Sequence, residues 1–103
     1  MGKNRIIRIL GGVIGGMVAH KILLKYTNKP ESIHHLTSEV DNYRNNAESI
    51  ASEFNWSEKD KKRIKEDALK SLNSELKEPH FHDVKFPIEV VNVLIEETMN
   101  EIL

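Results

Sequence analysis

The spacing of hydrophobic positions along this 103-residue chain predicts helices throughout, and the most apolar segment contains most of the glycines. Residues 9–20 read ILGGVIGGMVAH and hold four of the five glycines, in two pairs. On a helix, these glycines and the next alanine occupy one side, while large apolar side chains occupy the other. The small side consists of Gly11, Gly12, Gly15, Gly16 and Ala19. The pattern predicts a helix with one smooth face, on which a second helix can pack closely.

This glycine-rich helix is expected to contact a membrane. Each glycine inside a helix in water costs about 0.5–1 kcal/mol relative to alanine, whereas a lipid environment enforces helix and tolerates glycine. Ile6 to Leu24 spans nineteen residues, which is about 28 Å and just enough to cross the hydrocarbon core. Arg8 and Lys21 lie inside that span and would have to extend toward the headgroups. We therefore expect a single-pass segment, with an interfacial helix or a helix buried in a soluble fold as alternatives.

The next segment has the most regular repeat in the chain. Apolar residues alternate at spacings of three and four over three heptads, after a helix start that Pro30 favours. The repeat consists of Ile33, Leu36, Val40, Tyr43, Ala47, Ile50 and Phe54. It is either the seam of a coiled coil with a partner or the inner face of one helix packed on its own domain. We favour packing within the domain, because the flanking positions carry few of the charges that select a coiled-coil partner.

Two further helices follow from apolar stripes at helical spacing and from the residues that bound them. Ser57 is placed to cap a helix, with Asp60 three positions later as in a capping box, and Pro79 ends that helix. Pro87 opens a last helix. The helices are predicted near residues 30–54, 57–78 and 87–102. The fold class is therefore all-α: a basic glycine-rich N-terminal helix followed by a small three-helix bundle, or by a helical hairpin and a C-terminal helix.

Charge divides the chain into two parts. Residues 1–29 contain six basic side chains and no acidic one, whereas residues 30–103 contain nine basic and sixteen acidic side chains. The net charges of the two parts are +6 and −7. We assign residues 1–29 to an N-terminal helix that is a possible transmembrane or interfacial anchor, and residues 30–103 to an acidic helical domain. An acidic domain repels phosphate, so nucleic acid is not an expected partner.

Candidate chemistry is sparse. The chain has no cysteine, which excludes a disulfide framework, a thiolate zinc site and a cysteine nucleophile. In the segment HFHD, the side chains of His80, His82 and Asp83 are of the types that bind zinc, nickel or copper, but they match no fixed metal motif. The basic run KDKKRIK at 59–65 is interpreted as a solvated helix face, because acidic residues follow and no aromatic residue is interleaved. No phosphate-binding loop or nucleophile motif is present, so neither an enzyme nor a cofactor is expected.

These features favour a non-enzymatic, membrane-associated helical protein that acts through helix–helix packing as an interaction or assembly module. The glycine face would associate with itself or with another membrane helix, and the heptad face or the last helix would engage a protein partner. The first alternative is a soluble, cytoplasmic, homo-oligomeric binding module in which the N-terminal helix is buried. A metal-responsive regulator that uses the HFHD segment is a third hypothesis. The sequence identifies no small-molecule substrate.

Overall fold

The computed structural model describes residues 2–103, with the side chain of His80 outside that description. Four α-helices occupy most of the described chain: α1 (Lys3–Tyr26), α2 (Ile33–Ala51), α3 (Glu58–Glu75) and α4 (Glu89–Ile102). One short 3-10 turn, Pro30–Ser32, precedes α2, and a second, Pro79–Phe81, lies between α3 and α4. The described residues contain no β-strand, and the predicted all-α class is confirmed.

The helix boundaries follow from local chemistry at the helix ends. Pro30 begins the 3-10 turn before α2, where its missing N–H costs no helical hydrogen bond. Ser57 Oγ accepts a hydrogen bond from the backbone N–H of Asp60, and the Asp60 carboxylate accepts one from the backbone N–H of Ser57. The predicted capping box is therefore confirmed. Because α2 ends at Ala51, Phe54 of the heptad repeat lies in the linker and not on the helix predicted for it.

α1 lies at the centre of the bundle and packs against each of the other α-helices, most extensively against α3. Its 24 residues extend about 36 Å, nearly the full length of a molecule that is 41 Å in its longest dimension. Its apolar side chains are buried over a wide arc of the helix and not along one narrow stripe. They are Ile7, Leu10, Ile14, Met17, Val18, Ala19, Ile22 and Leu23. Such broad burial is typical of a core helix.

The other three helices cover α1 with apolar stripes of their own. The buried residues of α2 are Leu36, Val40, Ala47 and Ala51, and those of α3 are Ile64, Ala68 and Leu72. The buried apolar residues of α4 are Val90, Val91, Leu94, Ile95 and Met99. Ile88 and Val93, at the start of α4 and within it, remain exposed. Each helix thus has one apolar side turned to α1 or to its neighbours, and the core is shared by the whole described chain.

Trp56 holds the linker between α2 and α3 against the start of α1. Its indole N–H donates a hydrogen bond to the carbonyl oxygen of Ala51 at 2.9 Å, and its ring centroid lies 5.6 Å from that of Phe54. The ammonium of Lys3 lies 5.2 Å from the centroid of the indole ring and donates to the carbonyl oxygen of Asn55 at 2.6 Å. These contacts close the end of the bundle at which α1 and α3 begin.

Candidate functional site

The glycine face of α1 contacts α3 of the same chain. A Cβ atom placed on Gly11 would lie 2.6 Å from Asp67 Cβ, and one placed on Gly15 would lie 2.6 Å from the carbonyl oxygen of Ala68. Contacts of Cβ atoms shorter than 3.0 Å essentially never occur in proteins, so a side chain at either position would push the two helices apart. Ala19, four positions after Gly15 on the same face, is fully buried. Gly11 and Gly15 therefore let α1 and α3 approach almost to backbone contact.

The other two glycines of this face, Gly12 and Gly16, have different surroundings. A Cβ atom on Gly16 would lie 2.7 Å from the Tyr43 ring of α2, whereas one on Gly12 would have no neighbouring atom within 4 Å. The Tyr43 ring also packs on His20, with the ring centroids 4.9 Å apart, and His20 Nδ1 donates to the carbonyl oxygen of Gly16 at 2.8 Å. Burial, together with the negative charges of Glu75 and Glu39, raises the pKa of Tyr43. The spacing of apolar residues did not predict the contact between Tyr43 and Gly16, because such spacing identifies the face of a helix and not the helix that packs on it.

The heptad face of α2 is mostly covered by the protein's own helices. Its five central positions are buried or partly buried. These are Leu36, Val40, Tyr43, Ala47 and Ile50. Its two end positions, Ile33 and Phe54, are 46% and 38% exposed. The middle of the repeat thus packs inside the chain, and its ends reach solvent.

The HFHD segment forms a turn and not an extended loop. The 3-10 turn covers Pro79–Phe81, Phe81 is buried in the core, and His82 and Asp83 are exposed. The side chain of His80 lies outside the described residues. Among the side chains that the structure describes, no group of three histidine, aspartate or glutamate residues is placed to hold a metal ion. The hypothesis of a metal site at His80, His82 and Asp83 stays a prediction.

Asp83 borders a cavity of about 350 Å³ between the end of α1, the start of α2 and the loop that follows the second 3-10 turn. Leu23, Leu36 and Val84 form its apolar lining. Polar side chains of both signs border it, including Lys29 on the α1–α2 connection. The volume lies at the lower end of the range for small-molecule sites. Because cationic and anionic groups share the rim, the lining selects no ligand class.

Glu101 of α4 connects three helices at one point. Its carboxylate accepts hydrogen bonds from Lys21 of α1, at 3.2 Å, and from Arg44 of α2. Lys21 also donates to Thr98 at 2.8 Å, and Arg44 also donates to Asp41 at 2.7 Å. Burial alone would raise the pKa of Glu101, but the hydrogen bonds and charges of Arg44 and Lys21 outweigh it and lower that pKa. The sequence did not predict this cluster, because 57 and 80 positions separate Glu101 from its two partners.

The first turns of α1 and α3 lie side by side, which brings two basic segments of the sequence together. Lys3 forms an ion pair with Asp60 at 2.7 Å, and Arg63 donates to the side chain of Asn4 at 2.6 Å. The hydrogen bond from Lys3 is the main cause that lowers the pKa of Asp60. The basic run at 59–65, interpreted from the sequence as a solvated helix face, therefore has the basic residue Lys3 of α1 as a neighbour.

Comparison with known proteins adds no relative. No protein-family model, no curated protein and no solved structure matches this chain. α1 is long and apolar enough to cross a membrane, and core helices of soluble proteins and signal sequences share that property. Most of its apolar segment is buried inside the bundle. The surroundings of α1 and the surface of the bundle are therefore the features that bear on function.

Proposed function

We propose that this protein is a non-enzymatic helical interaction module whose apolar first helix forms the core of its own bundle. The close seating of Gly11 and Gly15 on α3 is the observation that supports this most directly. A glycine inside a helix in water costs about 0.5–1 kcal/mol relative to alanine. Close packing with α3 offsets that cost, because it removes apolar surface of both helices from water. On this proposal the glycines need no second membrane helix.

The burial of α1 supports the same function. Transfer of α1 into a bilayer would expose the apolar stripes of α2, α3 and α4 to water, at about 25 cal/mol for each Å² exposed. It would also separate Lys21 from Glu101 and Lys3 from Asp60. Because α1 makes so many contacts within its own chain, we propose that its main role is to form the core of the bundle.

In the described part of the chain, four side chains have shifted pKa values, and none of the four needs a catalytic role to explain its shift. Catalytic sites gather groups with perturbed pKa values in a cleft. The four side chains are Tyr43, Arg44, Asp60 and Glu101. Burial shifts the first, and the other three take part in ion pairs that join helices. Their shifts therefore have structural causes, and we expect the function to reside on the outer surface.

A membrane-anchored interaction protein is the second candidate, and the length and apolar character of α1 favour it. In this case the glycine face would pack against another helix in the bilayer, as the sequence predicts. Residues 30–103 would then form a separate acidic domain. The two candidates differ in whether α1 needs lipid.

Fractionation of cells that express the full-length protein distinguishes them. We expect the protein in the soluble fraction after a carbonate wash, and we expect light scattering on a sizing column to give one discrete mass without detergent. The reason is that the protein's own helices cover α1. Recovery in a membrane pellet that resists a carbonate wash would contradict the proposal and support an anchor.

A matched pair of substitutions sharpens this experiment. Gly15→Leu places a side chain against the backbone of α3, whereas Gly12→Leu places the same side chain into open space. In a self-contained bundle, Gly15→Leu exposes α1 and moves the protein from the soluble fraction into aggregates, while Gly12→Leu stays soluble. In a membrane anchor, both variants remain in the membrane fraction.

A further inference from the structure

We infer that the side of the bundle formed by α1 and α3 docks on an anionic phospholipid surface, so that the protein lies on a membrane and does not cross it. We call this side the docking face. It consists of Arg5, Arg8, Ile9, Lys59, Arg63 and Lys70, all exposed. The inference rests on the proposed function, because the docking face exists only while α1 is packed on α3.

Two kinds of contact place these residues on one side. The hydrogen bond between Arg63 and Asn4, at 2.6 Å, joins the first turns of α1 and α3, and Gly11 seats α1 on α3 further along. The two helices therefore run side by side in the same direction. Lys59, Arg63 and Lys70 are spaced by four and seven positions, which places them on one exposed stripe of α3. The exposed side of the first turns of α1 continues that stripe.

The charge of the docking face favours an anionic partner. Its five basic side chains outnumber the acidic neighbours on this part of α3, Glu66 and Asp67, and Asp60 is already paired with Lys3. Arg5 also has a contact within the protein and is still exposed. Basic side chains attract an anionic membrane within about one Debye length, roughly 10 Å at 0.1 M salt. This distance is smaller than the width of the protein, so the attraction depends on the charges of the face nearest the membrane.

The acidic helix α4 lies away from the docking face. Lys65 of α3 pairs with Glu96 of α4. Because Lys65 is two positions after Arg63, it projects from nearly the opposite side of α3. A membrane that contacts the docking face is thus separated from α4 by the bundle itself. In this orientation the acidic side chains of α4 lie on the far side of the bundle from the membrane.

Ile9 favours a lipid surface over a nucleic acid. Its side chain is 43% exposed and lies on α1 among the arginines of the docking face. An exposed isoleucine gains free energy when it enters the boundary between headgroups and acyl chains. It gains none from a phosphate backbone. The docking face, all of it within the described residues, contains no aromatic ring on which a base would stack.

Sedimentation with vesicles tests the inference on the full-length protein. The vesicles are made of phosphatidylcholine alone or of phosphatidylcholine mixed with phosphatidylserine, at low salt and at about 1 M salt, where the Debye length is about 3 Å. We expect binding to the mixed vesicles at low salt and its loss at high salt. Arg8→Glu with Arg63→Glu should weaken binding at least about tenfold, because each basic residue near the surface contributes a several-fold factor. Lys25→Glu with Lys29→Glu makes the same change of charge at the other end of α1 and should leave binding unchanged.

A second pair isolates the apolar contribution. Ile9→Ser should weaken vesicle binding severalfold. Val93→Ser, which alters an exposed apolar residue of α4 outside the docking face, should not. Far-UV circular dichroism checks that each variant is folded. If the Arg8 and Arg63 variant is unfolded, Lys59→Glu with Lys70→Glu performs the same test on exposed residues of α3 alone.

Each outcome supports or overturns the inference. Equal weakening by the two charge pairs, or no binding to mixed vesicles by a folded and soluble protein, overturns it and leaves the proposed function standing. Binding of a short duplex DNA or single-stranded RNA by the docking face, without vesicle binding, also overturns it. Binding to both kinds of vesicle that resists salt and carbonate overturns it together with the proposed function, because α1 would then be inserted.

Discussion

Gly12 and Gly15 lie three positions apart on α1 and have opposite surroundings. Gly15 faces the backbone of α3, whose carbonyl oxygen cannot rotate away, whereas the Cβ position of Gly12 faces open space. Both are interior positions of one long helix, so the helix propensity gained by replacing glycine with alanine is the same at each. The difference between the two replacements is therefore a direct measure of packing between α1 and α3.

We predict opposite effects of alanine at these two positions. Gly12→Ala should raise the free energy of unfolding by about 0.5–1 kcal/mol, because alanine loses less conformational entropy in a helix. Gly15→Ala should lower it by about 1–3 kcal/mol, because the added Cβ overpacks a rigid contact. Urea unfolding followed by far-UV circular dichroism measures both values. A gain in stability at both positions would contradict the close seating of α1 on α3.

At the scale of helices, α4 is held by charge as well as by apolar packing. Glu101 near its end accepts hydrogen bonds from α1 and α2, and Lys65 of α3 pairs with Glu96. Exposed ion pairs contribute little singly, about 0–1 kcal/mol each, and networks contribute more than isolated pairs. The Glu101 cluster therefore joins α4 to α1 and α2 and makes a modest contribution to the total stability.

We predict that Glu101 makes the stability of the protein sensitive to acid. Its pKa is lower in the folded state than in the unfolded chain, so the folded protein holds fewer protons and is favoured above the unfolded value of about 4.3. That contribution is lost as the pH falls through the folded pKa. Glu101→Gln should reduce stability at neutral pH by up to about 1 kcal/mol and should flatten the fall in stability between about pH 5 and pH 3.

The control for this prediction is Glu97→Gln, which alters an exposed carboxylate on the same helix. Chemical unfolding at a series of pH values, with the wild-type protein and both variants, gives the comparison. Identical acid profiles for the wild-type protein and Glu101→Gln would show that the cluster does not stabilise the fold.

The sequence predicts most of the helices of this fold, but it does not predict which helices pack against one another. Helix ends depend on nearby residues, so Ser57 with Asp60 located the start of α3 correctly. The end of α2 was placed too late, because the apolar repeat continues to Phe54 after the helix has stopped at Ala51. Spacing also identified the smooth face that contains Gly15, but not the helix that covers it. Which helix packs on that face depends on contacts between residues more than fifty positions apart. Local sequence patterns carry no information about such contacts.

At the scale of the whole molecule, each of the later helices depends on α1. α2 and α3 make far more extensive contacts with α1 than with any other helix, and α4 contacts α1 more extensively than it contacts either α2 or α3. A chain of about 74 residues that lacks this central helix retains little core, and small domains are marginally stable even with a complete one. The boundary between residues 29 and 30, drawn from charge, stays a prediction that this dependence allows us to test.

We predict that residues 30–103 do not fold alone. Removal of the first 29 residues exposes the apolar sides of three helices to water, so the fragment should lose most of its helical content and its cooperative thermal transition. Circular dichroism, together with the fluorescence of Trp56, measures both properties, and the full-length protein is the reference. A cooperative transition in the fragment would establish an independent acidic domain and would favour the anchored protein over the bundle.

The separation between α1 and α3 along the chain has a consequence for biosynthesis. The hydrogen bonds from Arg63 to Asn4 and from Ser71 to Gly12 each join residues that are 59 positions apart. At roughly 5–20 residues per second, a ribosome needs about 3–12 seconds to deliver those partners after α1 has been made. During that interval the nascent chain contains the apolar helix α1 but not yet the helix α3 that packs on it. Cellular factors that bind apolar nascent segments therefore compete with α3 for α1. Slower elongation gives those factors more time to bind before α3 has been made.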